Sequence, residues 1–192
     1  MKNKILRINA SARYEDSISR QRADAVIKEI ALATGDVGVT VRDVSQGLPF
    51  VGRDWVKLKS KPVSEYSPDD TTVMALSQEL IAELKDHQHY IFACPIYNFM
   101  IPASLKAWVD LVTLPGRTFK ETNEGYDGLL EGKCATLVFS SNRTEVGSDN
   151  DYASEYLSSI LKFMGVQDIS IVGGGNDMSL EKIVENYKSC LA

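Results

Sequence analysis

The chain has 192 residues, 44 % of them hydrophobic and 24 % charged, which fits one domain able to bury a sizeable core. A formal net charge of −5, with no clustered basic face, argues against nucleic acid as a partner. No apolar stretch approaches a membrane span, and Met1-Lys2-Asn3-Lys4 leads into a strand, not a signal peptide, so no membrane partner is expected.

Residues 4–8 read as a first strand. The polar loop 9–19 follows, then a helix with Ala23, Val26, Ile27 and Ile30 on one stripe and Gly35 beyond its end. A strand, a hydroxyl-rich loop and a helix start form an anion-holding geometry, because the first-turn N–H groups lack partners and the helix dipole favours negative charge. The loop has neither Gly-x-x-x-x-Gly-Lys-Ser/Thr nor Gly-x-Gly-x-x-Gly, which argues against an NTPase or a Rossmann dinucleotide site. Ser17 or Ser19 also suits the N-cap, and a capping position is a phosphate-facing position as well.

Residues 37–44 alternate as a second strand. Segment 45–66 has no good period, and Leu48, Pro49, Phe50 and Trp55 are its apolar points. It reads either as a flap near an active site or as a surface helix and loop. Ser67, Pro68 and Asp70 then predict a capped helix with Val73, Leu76, Leu80 and Leu84 on its stripe. His87 and His89 fall at the wrong sheet edge for a site and read as structural or solvent-facing.

Residues 90–93 are an apolar run suited to a buried strand, and Leu105, Trp108, Val109 and Val112 make a helical stripe. The loop between them is stiffened by Pro95 and by Pro102, which suits the first helical turn. It presents flat apolar surface beside backbone polar groups, which suits a planar ring with polar edges. Connection 115–132 holds Arg117, Phe119 and Tyr126. Residues 135–140 make a fourth strand, Ala153 to Met164 a helix closed by Gly165, and 169–172 a fifth strand. Gly173, Gly174 and Gly175 precede a last helix carrying Leu180, Ile183, Val184, Tyr187 and Leu191. Strands alternating with helices imply a parallel sheet covered on both faces. With an anion loop after strand one, 2-1-3-4-5 is the doubly wound order of choice, and a ligand would lie across the switch between strands one and three. Cys94, Cys134 and Cys190 are an odd number without metal-like spacing; Cys94 and Cys134 read as small buried thiols, and a reducing cytoplasm is expected.

Pro95-Ile96-Tyr97-Asn98-Phe99-x-Ile101-Pro102-x-x-Leu105-Lys106-x-Trp108-x-Asp110 resembles the flavin-contacting signature of the FMN-dependent NADH:quinone oxidoreductases, also called azoreductases. Gly116-Arg117-Thr118-Phe119 and Gly128-Leu129-x-x-Gly132-Lys133 resemble the same family at similar spacing, and the match runs nearly end to end. The resemblance implies a flavodoxin-like fold, in a single domain over residues 1–192, that carries FMN. Hydride would pass from NADH or NADPH to the flavin and then, in a second half-reaction, to a quinone or azo compound. Ser11, Ser17, Ile18 and Ser19 correspond to the phosphate-holding positions, and Pro95, Ile96, Tyr97, Asn98 and Phe99 to the ring-holding loop. Ser140 matches a further flavin contact with Ser141, Asn142 and Arg143 beside it, although Asn142 and Arg143 stand where the family usually has paired glycines. Phe119 is implied as part of the substrate slot. A flavodoxin-type electron carrier and a flavin-free binding module are the other readings.

The family is typically dimeric, and residues 105–114 point the same way. Ala107, Leu111 and Leu114 lie nearly opposite Leu105, Trp108, Val109 and Val112, so the helix is apolar nearly all round and a homodimer is expected to cover its outer face; the alternative is that connection 115–132 folds back over it within one chain.

Overall fold

The structure, a computed structural model, describes residues 3–173 and 179–191. Gly174 and Gly175 lie outside the described residues. The strands in chain order are β1 (Asn3–Asn9), β2 (Val37–Asp43), β3 (His89–Pro95), β4 (Phe119–Thr122), β5 (Gly125–Gly128), β6 (Cys134–Ser140) and β7 (Asp168–Val172). The helices are α1 (Ile18–Thr34), α2 (Arg53–Leu58), α3 (Pro68–Asp86), α4 (Ala103–Val112), α5 (Tyr152–Phe163) and α6 (Leu180–Leu191). Five strands pair in parallel in the order β2-β1-β3-β6-β7. This is the expected flavodoxin-like order 2-1-3-4-5 once the separate antiparallel hairpin β4-β5 is set aside.

Alternation along each strand sorts the core into two layers. Ile5, Ile91 and Val138 face Val26 and Ile30 of α1 with Ile183 and Tyr187 of α6. Leu6, Phe92 and Leu137 face the other way, into a cluster with Leu80 and Leu84 of α3, Trp108 of α4 and Leu157 of α5. With strands on both sides and helices on both faces, all seven residues of β3 are buried. The site loop therefore leaves a strand buried along its whole length.

Several sequence expectations change in detail. Ser67 caps α3 with Asp70 reciprocating, as predicted. The buried stripe of α3, however, is Met74, Ser77, Leu80, Ile81 and Leu84, while Val73 faces out. Ser77 is drawn inward because it accepts a 2.9 Å hydrogen bond from the buried Trp55 Nε1. That bond anchors α2 on α3, so segment 45–66 is a surface helix and loop, and none of it lines the cleft described below. Pro102 stands at the N-cap of α4, one position before the first turn. His87 and His89 are buried: His87 bridges Glu83 O and Thr40 Oγ1, and His89 meets Thr136 Oγ1 at 2.9 Å. Burial pushes the His89 imidazole down to about 3, so it is neutral and structural.

The outer face of α4 does not call for a dimer, contrary to the expectation from its sequence. Ala107, Leu111 and Leu114 are already buried within one chain, in the same apolar cluster as Leu130, Leu161 and Met164. Connection 115–132 folds back to provide cover: the buried Thr118 hydroxyl donates to Val112 O at 2.7 Å, and its N–H bonds Leu114 O. A Cβ at Gly128 would lie 2.1 Å from Gly165 N, so glycine there is what lets the hairpin press onto the end of α5.

Candidate active site

Three loops leave the carboxyl edge of the sheet after β1, β3 and β6 and enclose a cleft of about 440 Å³. Its volume falls within the roughly 300–1,000 Å³ usual for small-molecule sites. Ser11, Ser17, Ile18, Pro95, Ile96, Tyr97, Asn98, Phe99, Ser140, Ser141, Asn142 and Arg143 all line it, joined by Arg13, Asp16 and Thr144. Two expected residues do not. Ser19 is fully buried behind the cleft wall, its hydroxyl 3.3 Å from that of Ser17. Phe119 stands elsewhere, in a ring cluster with Phe163 at 4.7 Å and Tyr126 at 5.8 Å.

At one end, Ser17 caps α1 and accepts from Arg20 N. The first-turn N–H groups of Ile18 and Ser19 have no acceptor within the helix, and no acidic residue sits in that turn. An anion placed there meets N–H donors, the helix dipole and the Ser17 hydroxyl. The loop itself is latched from behind by Arg20, which donates to Ser11 O at 2.7 Å and to Asp43 Oδ2 at 2.9 Å, with Ser45 Oγ at 3.2 Å. The guanidinium also lies 4.6 Å over the Tyr14 ring, whose hydroxyl bonds Ser45 and Gln46. Burial alone would raise the Asp43 carboxyl, but Arg20 and Ser45 outweigh it and hold the group below the usual carboxylate range. Sequence reading missed this latch. Arg20 has no local signal, because its partner Asp43 comes from the end of another strand.

At the other end, Ile96 N donates to Ser140 O at 2.8 Å, tying the β3 and β6 loops together. Tyr97 and Met100 exchange both backbone hydrogen bonds, and Asn98 and Phe99 between them have φ of 49° and 68°. Two positive φ values in a two-residue turn are the pattern that favours Asn-Gly. Asn98 tolerates it; Phe99 occupies the glycine slot and is strained. Its ring is half exposed at the cleft, so little burial offsets the cost. Phe99→Gly is accordingly expected to raise Tm by about 3 °C, since relief of roughly 1–2 kcal/mol exceeds the added freedom of the unfolded chain. A fall in Tm on scanning calorimetry would show that the ring, and not the function, holds the turn.

Beyond β6 the Ser141 hydroxyl accepts from Thr144 N at 2.9 Å and from Arg143 N at 3.3 Å, which shapes a turn where paired glycines were expected. Backbone approach is thereby exchanged for two side chains, Asn142 and Arg143, in the cleft wall. Further along, the buried Asp151 caps α5 by accepting from Ala153 N and Ser154 N, and it also accepts from Gly147 N at 2.9 Å. Tyr152 N then donates to Phe99 O at 3.1 Å, so α5 braces the strained turn.

This donor set fits FMN. A single anion-sized cradle matches one phosphate, and a stiff loop with Pro95, Tyr97 and backbone polar groups matches a planar ring with polar edges. The family model for the flavodoxin-like fold matches residues 3–191. The FMN-dependent NADH:quinone oxidoreductase of Thiobacillus denitrificans is 38 % identical over 91 % of this chain and 85 % of its own length. That of Erythrobacter litoralis is 37 % identical over 96 % and 95 %. Among solved structures, an azoreductase from Bacillus anthracis str. Sterne superposes with a TM-score of 0.79 at 22 % identity, covering 98 % of this chain and 96 % of its own. An FMN-dependent NADH-azoreductase from Bacillus anthracis str. Ames Ancestor, solved in complex with FMN, gives 0.77 at the same 22 % identity, covering 98 % and 96 %. The chain belongs to the flavodoxin-like-fold family and, within it, groups with the FMN-dependent NADH:quinone oxidoreductases.

Proposed function

We propose that this protein is an FMN-dependent oxidoreductase that takes hydride from NADH or NADPH and reduces quinones and azo compounds by two electrons in a ping-pong cycle. The observation that carries the reading is the convergence of the anion cradle, the strained β3 loop and the β6 loop on one cleft, with relatives of that activity aligned along nearly the whole chain. FMN, when bound, supplies the hydride acceptance and donation. The chain supplies position. Ser17 and the first turn of α1 hold the phosphate, Ser11 shapes the loop around it, and Pro95 to Phe99 hold the ring. Tyr97 and Phe99, half exposed at the mouth, flank a flat opening that suits nicotinamide and acceptor in turn. Arg13 and Arg143 line the same cleft and favour an anionic nucleotide.

Residues 1–192 are read as one domain, supported by the span of the family match. Among the described residues no helix is long and apolar enough to cross a membrane. A cytoplasmic homodimer completes the proposal. Its support is the set of unpaired cysteines and the exposed Tyr97, Phe99 and Tyr152 at the cleft rim, together with the family resemblance.

The purified protein is expected to be yellow or to become so with added FMN, releasing FMN and not FAD. With NADH and a benzoquinone, double-reciprocal lines should be parallel. Protein that stays colourless after incubation with FMN ends the oxidoreductase reading; intersecting lines end the shared opening.

A further inference from the structure

At the amino edge of the sheet, remote from the cleft loops, two cysteines from distant parts of the chain meet. Cys134 opens β6 and Cys190 lies in the last turn of α6. Their sulfurs share one backbone acceptor: Cys190 Sγ is 3.7 Å from Gln88 O and Cys134 Sγ 3.9 Å from it, and Cys190 also lies 3.7 Å from Gly132 O. Sharing that acceptor makes the two thiols close neighbours. Cys134 is buried and Cys190 half-buried, while Cys94 is buried at the opposite edge.

We propose that Cys134 and Cys190 are a dithiol pair that peroxide oxidises to an intrachain disulfide, fastening the C-terminal helix to the sheet. The neighbouring Cys134 thiol lowers the Cys190 thiol, and the Lys133 ammonium adds to it, against burial and Asp168. The same neighbour, with burial, pushes the Cys134 thiol up. Cys190 is therefore the nucleophile, since the thiolate is the reactive form, and Cys134 the resolving thiol. In the first step the Cys190 thiolate attacks one peroxide oxygen, the O–O bond breaks and hydroxide leaves, taking up the thiol proton to give water and a sulfenic acid. In the second step the Cys134 sulfur attacks the sulfenic sulfur, the S–O bond breaks and a second water leaves. Two thiols and one hydrogen peroxide give one disulfide and two waters, with two electrons passing from sulfur to oxygen. Burial pushes the Cys94 thiol well above its usual value, so it stays out of this chemistry.

The test is to treat the purified chain with equimolar hydrogen peroxide, count thiols in denaturant, map peptides by mass spectrometry and measure Tm. Of three thiols, one is expected to remain, with a single Cys134–Cys190 cross-link. Closing a loop that contains α5 and β7 should raise Tm by about 10 °C, reversibly with dithiothreitol. Cys190→Ser should retain both remaining thiols after peroxide, show no shift in Tm and keep its activity, because it lies far from the cleft. Three surviving thiols, Cys190 carried to sulfinic acid with Cys134 still reduced, or a disulfide between two chains would each overturn the proposal. Cys134→Ser alters a buried strand, so the comparison rests on wild type and Cys190→Ser.

Discussion

Arg20→Met is expected to weaken FMN binding about a hundredfold while leaving riboflavin affinity within about threefold. Arg20 does not line the cleft; it holds Ser11 O and Asp43 from behind, with its guanidinium over Tyr14. Two charge-assisted bonds at about 1.5 kcal/mol each amount to roughly two decades in affinity if the loop they order is needed only for the phosphate. Riboflavin has no phosphate, so it separates this role from general damage. Arg20→Lys should recover part of the affinity, since the ammonium keeps the charge but cannot fork to Asp43 and Ser11 together. Equal losses for both flavins in equilibrium titrations, or a drop in Tm with FMN affinity unchanged, would reduce Arg20 to a structural brace.

Asp151→Ala should destabilise the fold by about 2–4 kcal/mol and lower Tm by about 10 °C. The buried carboxylate satisfies the N–H groups of Gly147, Ala153 and Ser154, and the Ser154 hydroxyl besides. Removing it strands the Ala153 and Ser154 donors in the interior, where water does not replace the lost bonds, while the exposed Gly147 N–H is released to solvent. The damage is directional. Loop 141–150 loses its anchor at Gly147, and Tyr152 N, which supports Phe99 O, sits one residue beyond the lost cap. Cleft affinity for FMN should therefore fall along with Tm. Asp151→Asn keeps an acceptor for the first-turn N–H groups and should recover about half of the loss. A Tm within about 2 °C of wild type for the alanine variant would show that water can enter and satisfy these groups.

Much of this molecule was readable along the chain. Short strand-like runs at 4–8, 37–44, 90–93, 135–140 and 169–172, alternating at 37–44 and continuously apolar at 90–93, located the five parallel strands, and the hydroxyl-rich loop after the first selected their order. Twelve residues placed in the flavin site from sequence share one cleft, since strand ends and loop starts are local facts and the parallel topology gathers them at one edge. Phe119 and Ser19 do not line that cleft, and no local pattern marks them as different from the rest. Phe119 belongs to the β4-β5 hairpin, whose two short strands carry no apolar alternation, and its ring packs on Phe163 of α5. Ser19 is two residues from Ser17, and only the direction of the first turn decided which of them lines the cleft.

The sequence by itself determined the strand order, the capped helices and the placement of the site at the carboxyl edge, because each follows from periodicity or from residues within a few positions of one another. Tertiary structure alone decided four things. It covered the outer face of α4 from within one chain, latched the Ser11 loop through Arg20 and Asp43, seated Phe99 in a glycine's backbone conformation, and brought Cys134 beside Cys190. Each depends on partners that packing brings together or on strain that neighbours must hold, and neither leaves a local pattern in the order of the residues.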